Sequence, residues 1–254
     1  MKDKEMKFTI KKNKAAENVG MMQIKNLNEN EAELHIYGDI VSSTWSKWDL
    51  EDTCPQDIVD FLSEIDADAN LTLYINSGGG DVFAGIGIYN ILKRHKGHIK
   101  GVVDGIAASI ASVILMACDE IVVSTGAQIM IHKPMTLGWG NADELTAIIM
   151  QLDKCQEMIT DIYMQKAKDG VTAEEITAAI NNETWMSGSE AAEMFDIETE
   201  DHAVIAACTS CMVSKYAHAP VLKTASVDDV ADYRKKDDKE ALKGILDDLF
   251  MYGA

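Results

Sequence analysis

A chain of 254 residues with 23 Lys and Arg against 42 Asp and Glu carries a formal charge of −19, which argues against nucleic acid as its main partner, because phosphate binding needs clustered cations. With 47% apolar and 26% charged residues the chain can bury a real core, which excludes wholesale disorder. Its longest apolar run, Ile106 to Cys118, is broken by Ser109 and Ser112 and is too short to span a bilayer.

Residues 1–20 hold six lysines against three acids and read as a basic, flexible leader. They lack the apolar stretch of a secretory signal, so the expected location is the cytoplasm. From Glu33 the pattern becomes regular. ELHIYGDIV reads as a strand, and PQDIVDFLSEID as an amphipathic helix with Ile58, Phe61, Leu62 and Ile65 on one face. LTLYIN is a buried strand ending in the glycine cluster SGGGD, and VFAGIGIYNILKRH returns as a helix. IKGVVDG follows as a strand ending near Val103–Asp104, SIASVILMAC as an apolar helix, and EIVVS and QIMIHKP as two more strands.

Asn141 to Lys168 is helical, with Leu145, Ile148, Ile149, Leu152, Cys155, Ile159 and Ile162 tracing an apolar stripe. Asn141 and Asp143 are its candidate caps and Gly170 its stop. VTAEEITAAI opens on a Thr172–Glu175 capping box. SGSEAAEMF is a short helix, and IETED and HAVIAA read as strands. Alternation of this kind predicts an α/β fold with parallel strands, here one domain over residues 21–213. Residues 214–254 differ: a polar, Lys- and Asp-rich linker to residue 239, then an amphipathic helix over 240–251 carrying Leu242, Ile245, Leu246, Leu249 and Phe250.

Four segments suggest chemistry, though each alone has a structural explanation. Gly78, Gly79 and Gly80 sit between a strand and a helix, but their spacing matches neither nucleotide-binding glycine pattern. They can form a tight turn, or leave backbone N–H groups bare as an oxyanion hole requires. Ser109 stands at the first turn of an apolar helix, at the positive end of its dipole, with the Ile110 N–H beside it; it could equally be an N-cap. His132 closes a strand before Pro134, which should leave the ring at a sheet edge. Glu183 lies between a helix and a short strand. The five cysteines are an odd, scattered set and read as reduced thiols. Cys208 and Cys211 form one CxxC, but only His202 and His218 lie near enough to complete a zinc site, so no metal is expected, and no cofactor.

Together these segments resemble the proteolytic subunit of the Clp protease (ClpP), and most of all its phage relatives, the head-maturation proteases. The resemblance runs from about Ala32 to Asp201 through LTLYINSGGGDVFAGIGIYN, GIAASIASVIL, QIMIHKPM and ETWMSGSEAAEMFDI, in that order. It implies a spiral of ββα units related to crotonases, with Asn141–Lys168 as a handle helix joining rings of subunits. It implies a serine endopeptidase with Ser109 as nucleophile, His132 as general base, Glu183 as the orienting acid, and the Gly79 and Ile110 N–H groups as the oxyanion hole. The chain order Ser…His…acid differs from that of α/β-hydrolases. It further implies a homo-oligomer, a heptameric ring or a stacked pair, acting on protein substrates.

Three departures stand out: Gly78 replaces the family's usual proline, Asp81 follows the glycines, and the acid is Glu rather than Asp. With the basic leader and the extra tail, they favour a phage enzyme cutting scaffold or capsid proteins inside a prohead over a housekeeping subunit fed by a Clp ATPase. Other readings are a crotonase-like acyl-CoA enzyme, which would want basic residues for the coenzyme's phosphates, and an inactive capsid-associated homologue. A Ser–Lys enzyme using Lys133 is disfavoured, because adjacent strand residues point to opposite faces.

Overall fold

β3 (Glu31–Ile40) alternates in burial as strictly as in sequence, sinking Ala32, Leu34 and Ile36 into the core while Glu33 and His35 face outward. The computed structural model describes residues 30–49, 51–200 and 213–219, and the backbone of two short antiparallel strands, β1 (Thr9–Lys12) and β2 (Ala15–Asn18), inside the basic leader. HAVIAA, the CxxC and the 240–251 helix lie outside the described residues.

After β3 comes α1 (Pro55–Ser63), whose Ile58 and Phe61 are fully buried on the face that the apolar spacing marks. β4 (Asn70–Gly80) pairs parallel with β3, α2 (Val82–Leu92) follows, and β5 (Ile99–Ala108) pairs parallel with β4. α3 (Ile110–Leu115), β6 (Glu120–Ser124) and β7 (Gln128–Ile131) come next. The long helix α4 (Ala142–Met164) is capped by Asn141, whose side chain accepts from Asp143 and Glu144. α5 (Ala173–Asn181) has the expected Thr172–Glu175 box, and β8 (Thr184–Ser187), α6 (Gly188–Met194) and β9 (Glu198–Glu200) complete the unit. The fold is the expected α/β class. One sheet runs β3-β4-β5-β6-β9, all parallel, and β7 branches from β5 to carry β8 antiparallel.

Two bulges make that branch. β5 pairs with β6 up to Val103, then with β7 from Ile106. Between them the β4–β5 register jumps, and the Ile106 N–H donates to the Asn76 side chain at 3.2 Å. On the other edge the β3–β4 register shifts at Gly38, whose carbonyl accepts the Ser77 hydroxyl at 2.5 Å. Both expected strand ends are therefore too early. β4 continues through Gly80, paired with Ile40, and β5 continues through Ala108, so these glycines and alanines are strand and not turn.

The apolar stripe of α4 divides. Cys155, Ile159 and Ile162 are buried within the chain, whereas Leu145 and Ile149 are 40% and 58% exposed. The segment read as a linker from residue 214 is, as far as Ala219, part of the same compact unit. Cys54, Cys118 and Cys155 are buried free thiols. No helix among the described residues is long and apolar enough to cross a membrane.

α3 lies close on α2, and Gly85 allows it: a Cβ there would run into the side chain of Ile110, which is 2% exposed. Gly85→Val should overpack this contact and destabilise the fold by about 1–3 kcal/mol. Urea denaturation checks it as a lower midpoint at unchanged slope.

Candidate active site

β5 delivers Ser109 at the point where the strand gives way to α3. Its backbone takes φ 55° and ψ −127°, a region that side chains other than glycine rarely enter and that costs on the order of 1–3 kcal/mol. The turn is held from two sides. The Ser109 N–H donates to the Met130 carbonyl at 2.9 Å, and the Ser109 carbonyl accepts from the Ser112 N–H at 3.0 Å. The sharp turn lifts the hydroxyl clear of both elements, as a nucleophile elbow does.

β7 brings the histidine. It is flanked by β5 on one side and β8 on the other, so His132, just past its end, is not at a free sheet edge as expected from Pro134. The Ser109 Oγ and His132 Nε2 are 2.6 Å apart, close enough for the imidazole to take the hydroxyl proton. Burial lowers the pKa of His132, and the nearby Glu183 charge offsets this only in part. The ring is therefore neutral and able to accept a proton. Lys133 is exposed and has no part in this pair.

Gly79 lies against Ser109. A Cβ at this position, where φ is 95°, would stand 2.8 Å from the Ser109 Cβ and 3.2 Å from the Ile110 N. Ile110 opens α3, so its N–H has no acceptor within the helix. The Gly79 N–H, in contrast, donates to Ser77 Oγ at 3.1 Å. Asp81 is exposed and its carboxylate caps α2, accepting from the Ala84 N–H at 2.7 Å.

Glu183 sits near His132 without a hydrogen bond to it among the described residues. Its carboxylate instead accepts from the Ala217 N–H at 2.9 Å and the His218 N–H at 2.5 Å. Its backbone φ is 49°. Burial would raise its pKa, but those two N–H donors, together with the Trp185 indole N–H and the His218 side chain, more than compensate and hold it below the usual carboxylate value.

Two contributors escaped the sequence reading. Ser112, fully buried, donates its hydroxyl to the Ser109 carbonyl at 2.5 Å, lies 3.1 Å from the Met130 carbonyl, and accepts from the Tyr163 hydroxyl of α4 at 2.7 Å. It is a positioning residue that joins the serine turn, the histidine strand and the long helix. Its only sequence signal is a polar residue at i+3 inside an apolar helix. The second is Tyr216, 6% exposed, whose ring packs edge-on to His132 at 4.8 Å and near Trp185 at 6.1 Å. Its hydroxyl donates to the Gly78 carbonyl at 2.5 Å.

Residues 26–195 match the family described as Clp protease. The chain is 30% identical over 135 residues to an ATP-dependent Clp protease proteolytic subunit of Bacteroides fragilis, covering 52% of this chain and 64% of that protein. The subunit of Bacteroides thetaiotaomicron is 29% identical over 135 residues, 52% of this chain and 60% of its own. That of Mesostigma viride is 27% identical over 150 residues, 57% and 65%. The chain thus spans less than two thirds of the length of each of these relatives.

The lowered pKa of His132 sets a pH dependence. The neutral imidazole is the competent form, and it persists to lower pH when the pKa is depressed. The rate of fluorophosphonate labelling at Ser109 should therefore hold as pH falls through the ordinary histidine value and decline only below it. A labelling midpoint at or above that value would contradict the neutral, buried base.

Proposed function

The chain belongs to the Clp protease family, and from that premise we propose that it is a serine endopeptidase. The observation that carries the reading is the 2.6 Å approach of Ser109 Oγ to His132 Nε2 at a strained strand-to-helix turn. Ser109 attacks the scissile carbonyl while His132 Nε2 takes its proton. The tetrahedral oxyanion meets the Ile110 N–H, and the Gly79 N–H once its peptide turns toward it. His132 then protonates the leaving amine, and the acyl-serine is hydrolysed by water with the same base. Glu183 is the acid that steadies the imidazolium. This chemistry needs neither metal nor cofactor.

The exposed half of the α4 stripe supports assembly into a cyclic homo-oligomer, a heptameric ring or a stacked pair. Leu145, Ile149 and Met150, all at least 40% exposed, would each contribute about 0.6–1.7 kcal/mol if the remaining surface were buried against a second copy. That is enough to outweigh repulsion between acidic surfaces screened at physiological salt. Within this reading the chain is a phage head-maturation protease, acting on scaffold or capsid proteins in a prohead in the host cytoplasm. Its support is Gly78, Glu183, the basic leader and the tail. The names of the relatives favour a second role, a housekeeping subunit in the cytoplasm working with a Clp ATPase. Degradation of a folded substrate only when a Clp ATPase and ATP are added would select that second role.

Ser109→Ala should abolish peptide hydrolysis, a loss on the order of 10⁶ as in other serine triads. Its melting temperature and assembly state should match the parent, because only one exposed-side oxygen is removed. An assembled parent protein that never labels at Ser109 would sink the peptidase reading. Ile149→Asp combined with Leu152→Asp should give smaller species in sedimentation velocity. A parent protein that is monomeric and fully active at high concentration would refute the ring.

A further inference from the structure

Residues 216–218 touch the site at three places. The first concerns the peptide between Gly78 and Gly79. In a trans peptide the C=O and the following N–H point in opposite directions. Here the Gly78 carbonyl is held by the Tyr216 hydroxyl at 2.5 Å, and the Gly79 N–H donates on the other side to the buried Ser77 Oγ at 3.1 Å. Ser77 Oγ is itself anchored on the Gly38 carbonyl of β3. The Gly79 backbone lies beside Ser109, but its donor is committed to another acceptor. Bringing that N–H to an oxyanion requires the peptide to rotate, and rotation carries the Gly78 carbonyl off Tyr216. Such a rotation also takes Gly79 out of its register opposite Asp39 of β3, and two consecutive glycines meet it without side-chain hindrance.

The second and third contacts are the Ala217 and His218 N–H groups on the Glu183 carboxylate, at 2.9 and 2.5 Å. They occupy both carboxylate oxygens, and Glu183 makes no hydrogen bond to His132 among the described residues. The Tyr216 ring, meanwhile, fills a recess formed by Ala108, Met130, Ile106 and Trp185 beside the imidazole.

We propose that residues 216–218 are a built-in latch that holds the site at rest, with Tyr216 pinning the Gly78–Gly79 peptide in its non-donating orientation and the two following N–H groups keeping Glu183 from His132. The proposal rests on the serine-peptidase reading. Ser109 and His132 stay paired under the latch; the oxyanion donor and the acid are the groups withheld. Release of the segment frees the peptide to turn and the carboxylate to move, so activation is a local rearrangement and not a refolding of the site.

The test is the rate of fluorophosphonate labelling at Ser109 in the full chain, with the modified residue located by mass spectrometry. Tyr216→Phe keeps the ring and its bulk and removes only the hydroxyl, so access to the serine is unchanged. With the latch weakened by one hydrogen bond, labelling should be faster by about fivefold. Tyr216→Ala, which also empties the recess, should be faster still. If the hydroxyl instead supports the working geometry, Tyr216→Phe will label at the parent rate or more slowly. That outcome, with the parent labelling at Ser109, overturns the latch and leaves the peptidase reading standing. No labelling at Ser109 in the parent or in either variant overturns the peptidase reading and the latch with it.

Discussion

The strained backbone of Ser109 is the constraint around which the site is built. A φ of 55° on a serine persists only where the surroundings leave no alternative. Here the surroundings are the β5–β7 pairing at Ile106–Ala108 and the buried hydroxyl of Ser112. Because the Ser109 N–H is bonded to Met130, two residues before His132, the strain is held by the same strand that supplies the base. The distance between Ser109 and His132 is thus set by a β-ladder and not by two independent loops. Ser112 extends the clamp to Tyr163 of α4, which ties the serine turn to the helix whose other half is exposed.

That arrangement explains why the sheet branches. A strand that ended at Val103 would pair with β4 and β6 but not with β7, and would leave the serine on a free loop. The bulge at Asp104–Ile106 instead lets β5 change neighbours and carry its order on to Ala108, with Asn76 supplying the acceptor that the broken ladder lacks at Ile106. Two glycines beside the site have no substitute. Gly79 approaches the nucleophile too closely for any side chain, and Gly38 takes a φ of 79° opposite the second bulge.

What the sequence made legible follows from these interactions. Periodicity was sufficient for β3, α1 and α4, and the caps at Asn141 and Thr172 are local chemistry that a few residues specify. The serine and histidine were legible as ordered motifs, and they meet at 2.6 Å. The strand ends were not, since Gly78–Gly80 and Gly105–Ala108 look like turn residues unless the side chains of Ser77 and Asn76 are known to serve the ladder. Tyr216 was the least legible. It stands in a polar stretch without period, and its hydroxyl bonds to a carbonyl 138 residues away. No local pattern encodes such a contact.

The acid and the base are coupled through that same segment. A buried imidazole becomes a stronger base only if a negative charge faces it as it takes up a proton. Glu183 carries the charge, but two backbone N–H groups already stabilise it, and hydrogen bonds to a carboxylate diminish the field it exerts elsewhere. The direction of the His132 shift is consistent with this competition: burial dominates, and the carboxylate offsets only part of it. A glutamate has one methylene more than the family's aspartate, which gives its carboxylate a wider arc, and here that arc carries it to the Ala217 and His218 N–H groups. The longer acid is therefore suited to alternate between two sets of partners, where an aspartate at this position would be confined more nearly to one. In a chain of charge −19 there is no shortage of carboxylates. What sets Glu183 apart among them is the pair of backbone N–H groups bonded to it beside His132.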